Sequence, residues 1–166
     1  MKKILMILAL ATLLISCSDD PNEPKDELVL SIIPQTSQIA IGEEVLLEIA
    51  VEGVLDLFVA TFELTYDSDL LQIDNDSFSE GSIWNDEVIS FTQLDEGVYS
   101  ISIGLEQTDD YDGVSGFGVL CGFSIEAIQI GNVDFIIENL NMMDENANPI
   151  SGFDNVQIEN CSITIE

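Results

Sequence analysis

The chain has 166 residues with 32 Asp and Glu, 3 Lys and Arg and no histidine, for a formal charge of −29 at pH 7. A surface this acidic repels phosphate backbones and anionic lipid headgroups, so nucleic acid is excluded as a partner and no basic patch can hold the protein on a membrane. The missing histidine removes Ser-His and Cys-His triads and the usual zinc sites.

Lys2 and Lys3 open the chain, and Ile4 to Ile15 is an apolar run broken only by Thr12. At ~1.5 Å per residue it would span about 18 Å as a helix, short of a ~30 Å hydrocarbon core, so it reads as a secretory signal. The run ends in Leu14-Ile15-Ser16-Cys17, which resembles a bacterial lipobox with Cys17 as the lipid attachment site. The expected organisation is a signal peptide over 1–16, a disordered acidic tether over 17–27 and one domain over 28–166. The tether, Ser18 to Glu27, has two prolines and no apolar face. Its Ser18-Asp19-Asp20 start resembles the surface-export signal of Bacteroidota lipoproteins, which places the protein lipid-anchored at the outer membrane or cell surface. From Cys17 on, one lysine stands against 32 acids, a side-chain charge of about −31. Such a surface suits solubility or the binding of a cation such as Ca²⁺.

From Leu28 on, short β-branched alternating runs separated by turn residues predict strands. They fall at 28–33, 38–41 after Pro34, 45–51, 58–66, 70–73, 88–93, 98–105, 119–128, 133–138, 157–159 and 162–165. In the third run Val45, Leu47, Ile49 and Val51 share a face. In the fourth, Ala60, Phe62, Leu64 and Tyr66 oppose Thr61, Glu63 and Thr65. Asp95-Glu96-Gly97 signals a hairpin. Leu140–Met143 is too short to assign. No helical period is sustained, so the domain is all-β, a sandwich or barrel.

Four stretches resemble the cohesin domain family and its related carbohydrate-binding sandwiches. They are Ile39-Ala40-Ile41-Gly42-Glu43-Glu44-Val45, the long stretch from Leu55 to Leu71 with its Tyr66-Asp67-x-x-x-Leu71 ending, Gly113 to Leu120, and Asn139 to Ile150. In the last, Asp144-Glu145-Asn146-Ala147 stands where the family has Asp-x-Asn-Gly. The resemblance covers the whole domain and implies a nine-stranded jelly-roll β-sandwich. It also implies a non-enzymatic binding module for a protein partner (dockerin-like) or a polysaccharide, connected with polysaccharide breakdown. A structural or adhesive surface lipoprotein without a dedicated ligand is the alternative.

Among so many acids some carboxylate pair falls at a glycosidase spacing by chance, so no enzyme activity is expected. Asp109, Asp110 and Asp112 concentrate three carboxylates in a Gly-closed loop and form the candidate Ca²⁺ site, without the EF-hand spacing. Asp67, Asp69, Asp74 and Asp76 form a second cluster, whose first two members suit a turn. Trp84 and Tyr111, with Tyr99 and Phe78, are the candidate sugar-stacking residues, though a core or lid position for the aromatic rings is the favoured reading. Cys121 and Cys161 alternate with apolar residues and are expected to be free buried thiols. The cohesin-like strand order implied by the resemblance would place them in one sheet about 14 Å apart, beyond the ~7 Å that a disulfide spans.

Overall fold

The computed structural model describes residues 27–84, 88–95, 100–108 and 112–166. Twelve strands are assigned among them: β1 (Val29–Pro34), β2 (Gln38–Ile39), β3 (Glu44–Leu57), β4 (Val59–Thr65), β5 (Leu71–Ile73), β6 (Ser79–Glu80), β7 (Val88–Asp95), β8 (Ser100–Gln107), β9 (Val114–Ala127), β10 (Gly131–Met143), β11 (Gln157–Glu159) and β12 (Cys161–Ile165). They build two sheets. The first runs β11-β1-β3-β9-β5, with β6 also paired to β9; the second runs β2-β12-β10-β4-β8-β7. Counting β2 as the continuation of β1, and β6 and β11 as short edge additions, leaves the nine strands of a jelly roll.

Pro34 explains why the predicted run 28–33 and its continuation 38–41 serve different sheets. Proline has no N–H to continue a ladder, and β1 ends there. Gln35 N makes a last bond to Leu46 O of β3 (2.9 Å), and Ser37 O already accepts from Thr164 N of β12 (2.9 Å). The chain crosses between the sheets in those few residues. Gly42, at φ 77°, then turns it into β3, with Glu43 N bonded to Ala40 O at 3.0 Å.

Alternation decides what is buried. Val45, Leu47, Ile49 and Val51 of β3 face Ala60, Phe62 and Leu64 of β4 across the core, with Phe123 and Ile125 of β9 and Val133, Phe135 and Ile137 of β10 filling the space between. Tyr66 stacks on Phe135, ring centroids 5.9 Å apart.

Three strands run five or six residues past their predicted ends, and each contains a break in alternation. In β3 the register against β9 shifts between Glu52 and Val54, around Gly53 at φ 78°, so Gly53 and Val54 are both buried. In β10 two residues, Asn139 and Leu140, stand opposite one of β4, and Asn139 takes φ 49°. Asparagine tolerates that left-handed backbone, and Leu140–Met143 then continues the same strand. In β9 Leu120 is the extra residue opposite Ile49 and Ala50, so Leu120 and Cys121 are both buried. Such bulges re-aim side chains. The β7–β8 hairpin pairs Asp95 with Ser100, and its turn, 96–99, lies outside the described residues.

One expectation about the strand order is corrected. Cys121 and Cys161 are free, but they do not share a sheet: β9 belongs to the first and β12, paired with β10 and β2, to the second. Facing sheets lie about 10 Å apart, still beyond disulfide reach. Cys121 is fully buried and Cys161 half-buried.

Candidate functional site

The outer face of β10, β4, β8 and β7 is an uncovered surface that carries exposed apolar side chains among its acids. Alternation turns Val59, Thr61, Glu63 and Thr65 of β4 outward, because Ala60, Phe62 and Leu64 face the core. Two rows of cross-strand neighbours span the sheet: Met143, Val59, Glu106 and Ile89, then Asn141, Thr61, Gly104 and Phe91. Phe91 is 58% exposed and Ile89 61% exposed on the edge strand β7. Gly104 leaves a shallow depression between them and β4, where an added methyl would meet nothing nearer than Thr61 Cγ2 at 3.8 Å and Phe91 Cβ at 3.9 Å. The strip is free of charge except for Glu106, which stands between Val59 and Ile89, and Glu63 and Glu138 lie beside it.

Toward the β4–β5 turn the strip runs into a groove of about 510 Å³, floored by Tyr66 and Ile136 and edged by Asp67, Asp69, Asp134 and Glu138. Burial pushes the Tyr66 hydroxyl above its ordinary pKa. Asp67 is held by its own turn, accepting from Asp69 N at 3.0 Å, as the sequence suggested. Asp74 likewise accepts from Asp76 N at 3.0 Å and caps a short 3-10 turn at 75–77. These four aspartates therefore split between two turns, and Asp74 and Asp76 line a separate cleft with Glu44 and Glu126.

The opposite face differs at its centre. There β3 turns Glu44, Glu48 and Glu52 outward along the middle of the sheet, beside the exposed Phe117 and Ile33. Interface cores are depleted of charge, and three glutamates on its central strand, against Glu63 and Glu106 on the central strands of the other face, make this the poorer docking surface despite its groove of about 470 Å³.

Trp84 is not an exposed stacking platform. Its indole is 8% exposed and donates from Nε1 to Leu120 O at 2.7 Å. The segment carrying it runs along the edge of β9, with Gly81 N bonded to Leu120 O (2.9 Å) and Ile83 N to Val119 O (3.1 Å). The polar neighbours that suggested exposure belong to that edge, while the ring turns into the core. Phe78 is partly buried against the same core. Tyr99 and Tyr111 lie outside the described residues, as do Cys17, Asp109 and Asp110.

Asp112 is described. It borders a cavity of about 320 Å³ with Asp56, Asp144 and Glu145. Among the described residues no three acidic or thiol side chains are grouped to hold a metal ion. Asp144 is instead committed to its own loop. Its carboxylate accepts from Asn148 N (2.8 Å), Asn148 Nδ2 and Asn146 N (2.9 Å), and these bonds, those from Asn148 foremost, lower its pKa.

No protein-family model and no curated protein matches the sequence. Solved structures do. A non-cellulosomal cohesin from Archaeoglobus fulgidus superposes with a TM-score of 0.67 at 15% identity, covering 84% of this chain and 91% of that one. A type II cohesin domain from the cellulosome of Acetivibrio cellulolyticus gives 0.71 at 15% identity, covering 82% and 95%. A type I cohesin–dockerin complex from Clostridium thermocellum gives 0.69 at 15% identity, covering 87% and 96%. The fold is that of a cohesin-like β-sandwich.

Proposed function

We propose that the chain is a non-enzymatic protein-binding module that takes a dockerin-like partner on the outer face of β10, β4, β8 and β7. The observation that carries this reading is the exposed apolar strip from Ile89 and Phe91 across Gly104 to Thr61 and Val59. Exposed aromatic and aliphatic side chains ringed by polar and charged ones, here Glu106 and Glu63, suit a protein interface. The similarity to cohesins, one of them solved with its dockerin, supports the class of partner. In this reading the partner module belongs to an enzyme that breaks down polysaccharide, and an acyl group on Cys17 holds the assembly at the outer membrane or cell surface.

The test is selection from a displayed panel of dockerin modules, followed by affinity measurement on face variants. Phe91→Glu places a charge in the centre of the strip and should weaken binding about thirtyfold, the ~2 kcal/mol of an interface hot spot. It should leave the melting temperature unchanged, since the ring is already mostly in water. If the panel yields no binder, or if Phe117→Glu on the opposite face weakens binding and Phe91→Glu does not, the assignment is wrong. For the anchor, Cys17→Ala should abolish palmitate labelling and release the protein from membranes; retained labelling refutes it.

A further inference from the structure

The binding face carries an electrostatic imbalance that nothing on the described chain offsets. Glu63 and Glu138 stand directly opposite one another across β4 and β10, an arrangement in which like charges repel. Asn139 Nδ2 donates to Glu63 at 2.7 Å, which satisfies one oxygen and neutralises no charge. Asp134 lies four residues from Glu138 along β10, on the same face. Ser162 Oγ donates to it at 2.5 Å, again without supplying a positive charge. The chain's three basic residues are Lys2, Lys3 and Lys25, none of them among the described residues.

We propose that the occupant of this face is a cationic protein surface: an apolar centre seated on the Phe91–Gly104–Thr61 strip, with lysine or arginine side chains entering the groove of Asp67, Asp134 and Glu138. The proposal rests on the reading of this face as a protein interface and specifies the partner's chemistry. Charge complementarity selects that occupant. The groove lies one step along β4 and β10 from the strip, beyond the Glu63–Glu138 pair, and its Tyr66 and Ile136 give the stem of a long cationic side chain an apolar bed. A guanidinium also matches carboxylates in paired geometry. A second copy of this chain is disfavoured as occupant, because two such acidic surfaces repel. The partner meets its site quickly at low salt and slowly at high salt, since opposite potentials steer the encounter.

The probe is N-acetyl-arginine amide, with N-acetyl-citrulline amide as its uncharged counterpart, titrated at matched ionic strength into the ¹⁵N-labelled mature chain. Arginine amide should produce saturable shifts of the Thr65, Asp67, Ile136 and Glu138 amides, with a dissociation constant on the order of millimolar. Citrulline amide should shift them roughly fivefold less or weaker still. The double variant Asp134→Asn, Glu138→Gln preserves shape and should lose the effect. The cleft of Glu44, Asp74, Asp76 and Glu126, equally acidic, is the internal control. Equal shifts at that cleft would mean diffuse counterion attraction and overturn the proposal, as would the absence of any saturable shift. Either result leaves the strip free to take a neutral partner, which the dockerin selection and Phe91→Glu would still register. Failure of that selection would not change the shift map.

Discussion

Gly81→Ala tests the packing that removes Trp84 from the surface. A Cβ at Gly81 would sit 2.0 Å from Val119 O and 2.7 Å from the Leu120 carbonyl carbon, backbone against backbone. No rotamer relieves such a clash, so the chain must move by more than 1 Å. It escapes most cheaply by peeling the 79–84 segment off β9, and the penalty is then capped at what that segment contributes. Three short hydrogen bonds are lost, Gly81 N and Trp84 Nε1 to Leu120 O and Ile83 N to Val119 O, while the 3.3 Å bonds of Ser79 Oγ to Gly122 O and Val119 N to Ser82 Oγ are weaker and add less. At about 1 kcal/mol net each the three short bonds amount to ~3 kcal/mol. Exposing part of the indole adds about 1–2 kcal/mol. The expected loss is therefore about 3–5 kcal/mol, which for a domain of this size lowers the melting temperature by roughly 10–15 °C. Trp84 is the chain's one tryptophan, so its fluorescence reports this segment alone. The emission maximum of the folded variant should shift to the red, toward that of indole in water. An unshifted spectrum together with a melting temperature within a degree or two of wild type would refute the packing.

Ala147 occupies φ 61°, a backbone that costs a non-glycine residue about 1–2 kcal/mol; after the unfolded-state entropy of glycine, Ala147→Gly should still stabilise by about 0.5–1 kcal/mol, read as a rise in melting temperature. A fall would mean that the left-handed turn is misplaced. Asp144, whose pKa is lowered, stabilises its loop above the unfolded carboxylate pKa and loses that contribution as pH falls through the depressed folded value. The Asn146 and Asn148 amide shifts should titrate below the ordinary aspartate value of 3.8; a midpoint at or above it removes the loop bonds. Burial lifts the Cys121 thiol to about 12 and the Cys161 thiol to about 11, the latter helped by the Asp134 carboxylate. Both should alkylate slowly in the native protein and promptly in denaturant, and a Cys121–Cys161 crosslinked peptide in unreduced digests would overturn the placement of β9 and β12 in opposite sheets.

Much of the architecture is written locally. The two-residue alternation of Val45 to Val51 and of Ala60 to Tyr66 names its own buried face, because successive strand side chains point opposite ways. Pro34, Gly42 and the Asp67 turn mark boundaries through single-residue chemistry. The absence of histidine and the excess of carboxylates are properties of composition and need no fold. Ala147 could be recognised in advance as a residue standing in a glycine position, and its φ agrees.

Tertiary pairing decided the rest. Strand β6 is two residues long and exists only because β9 offers an open edge. The bulges at Gly53, Leu120 and Asn139 interrupt the very period by which strands are recognised, so the ends of β3, β9 and β10 were hidden. Trp84 lies among polar neighbours, and only the edge of β9 reveals that its ring turns inward. Cys121 and Cys161 each read correctly as facing the core, yet which sheet each strand joins is a matter of non-local hydrogen bonding. For the same reason the proposed binding face was illegible: Phe91, Gly104, Thr61 and Asn141 form one row only once four strands lie in register, and a strand's own residues carry no record of its neighbours.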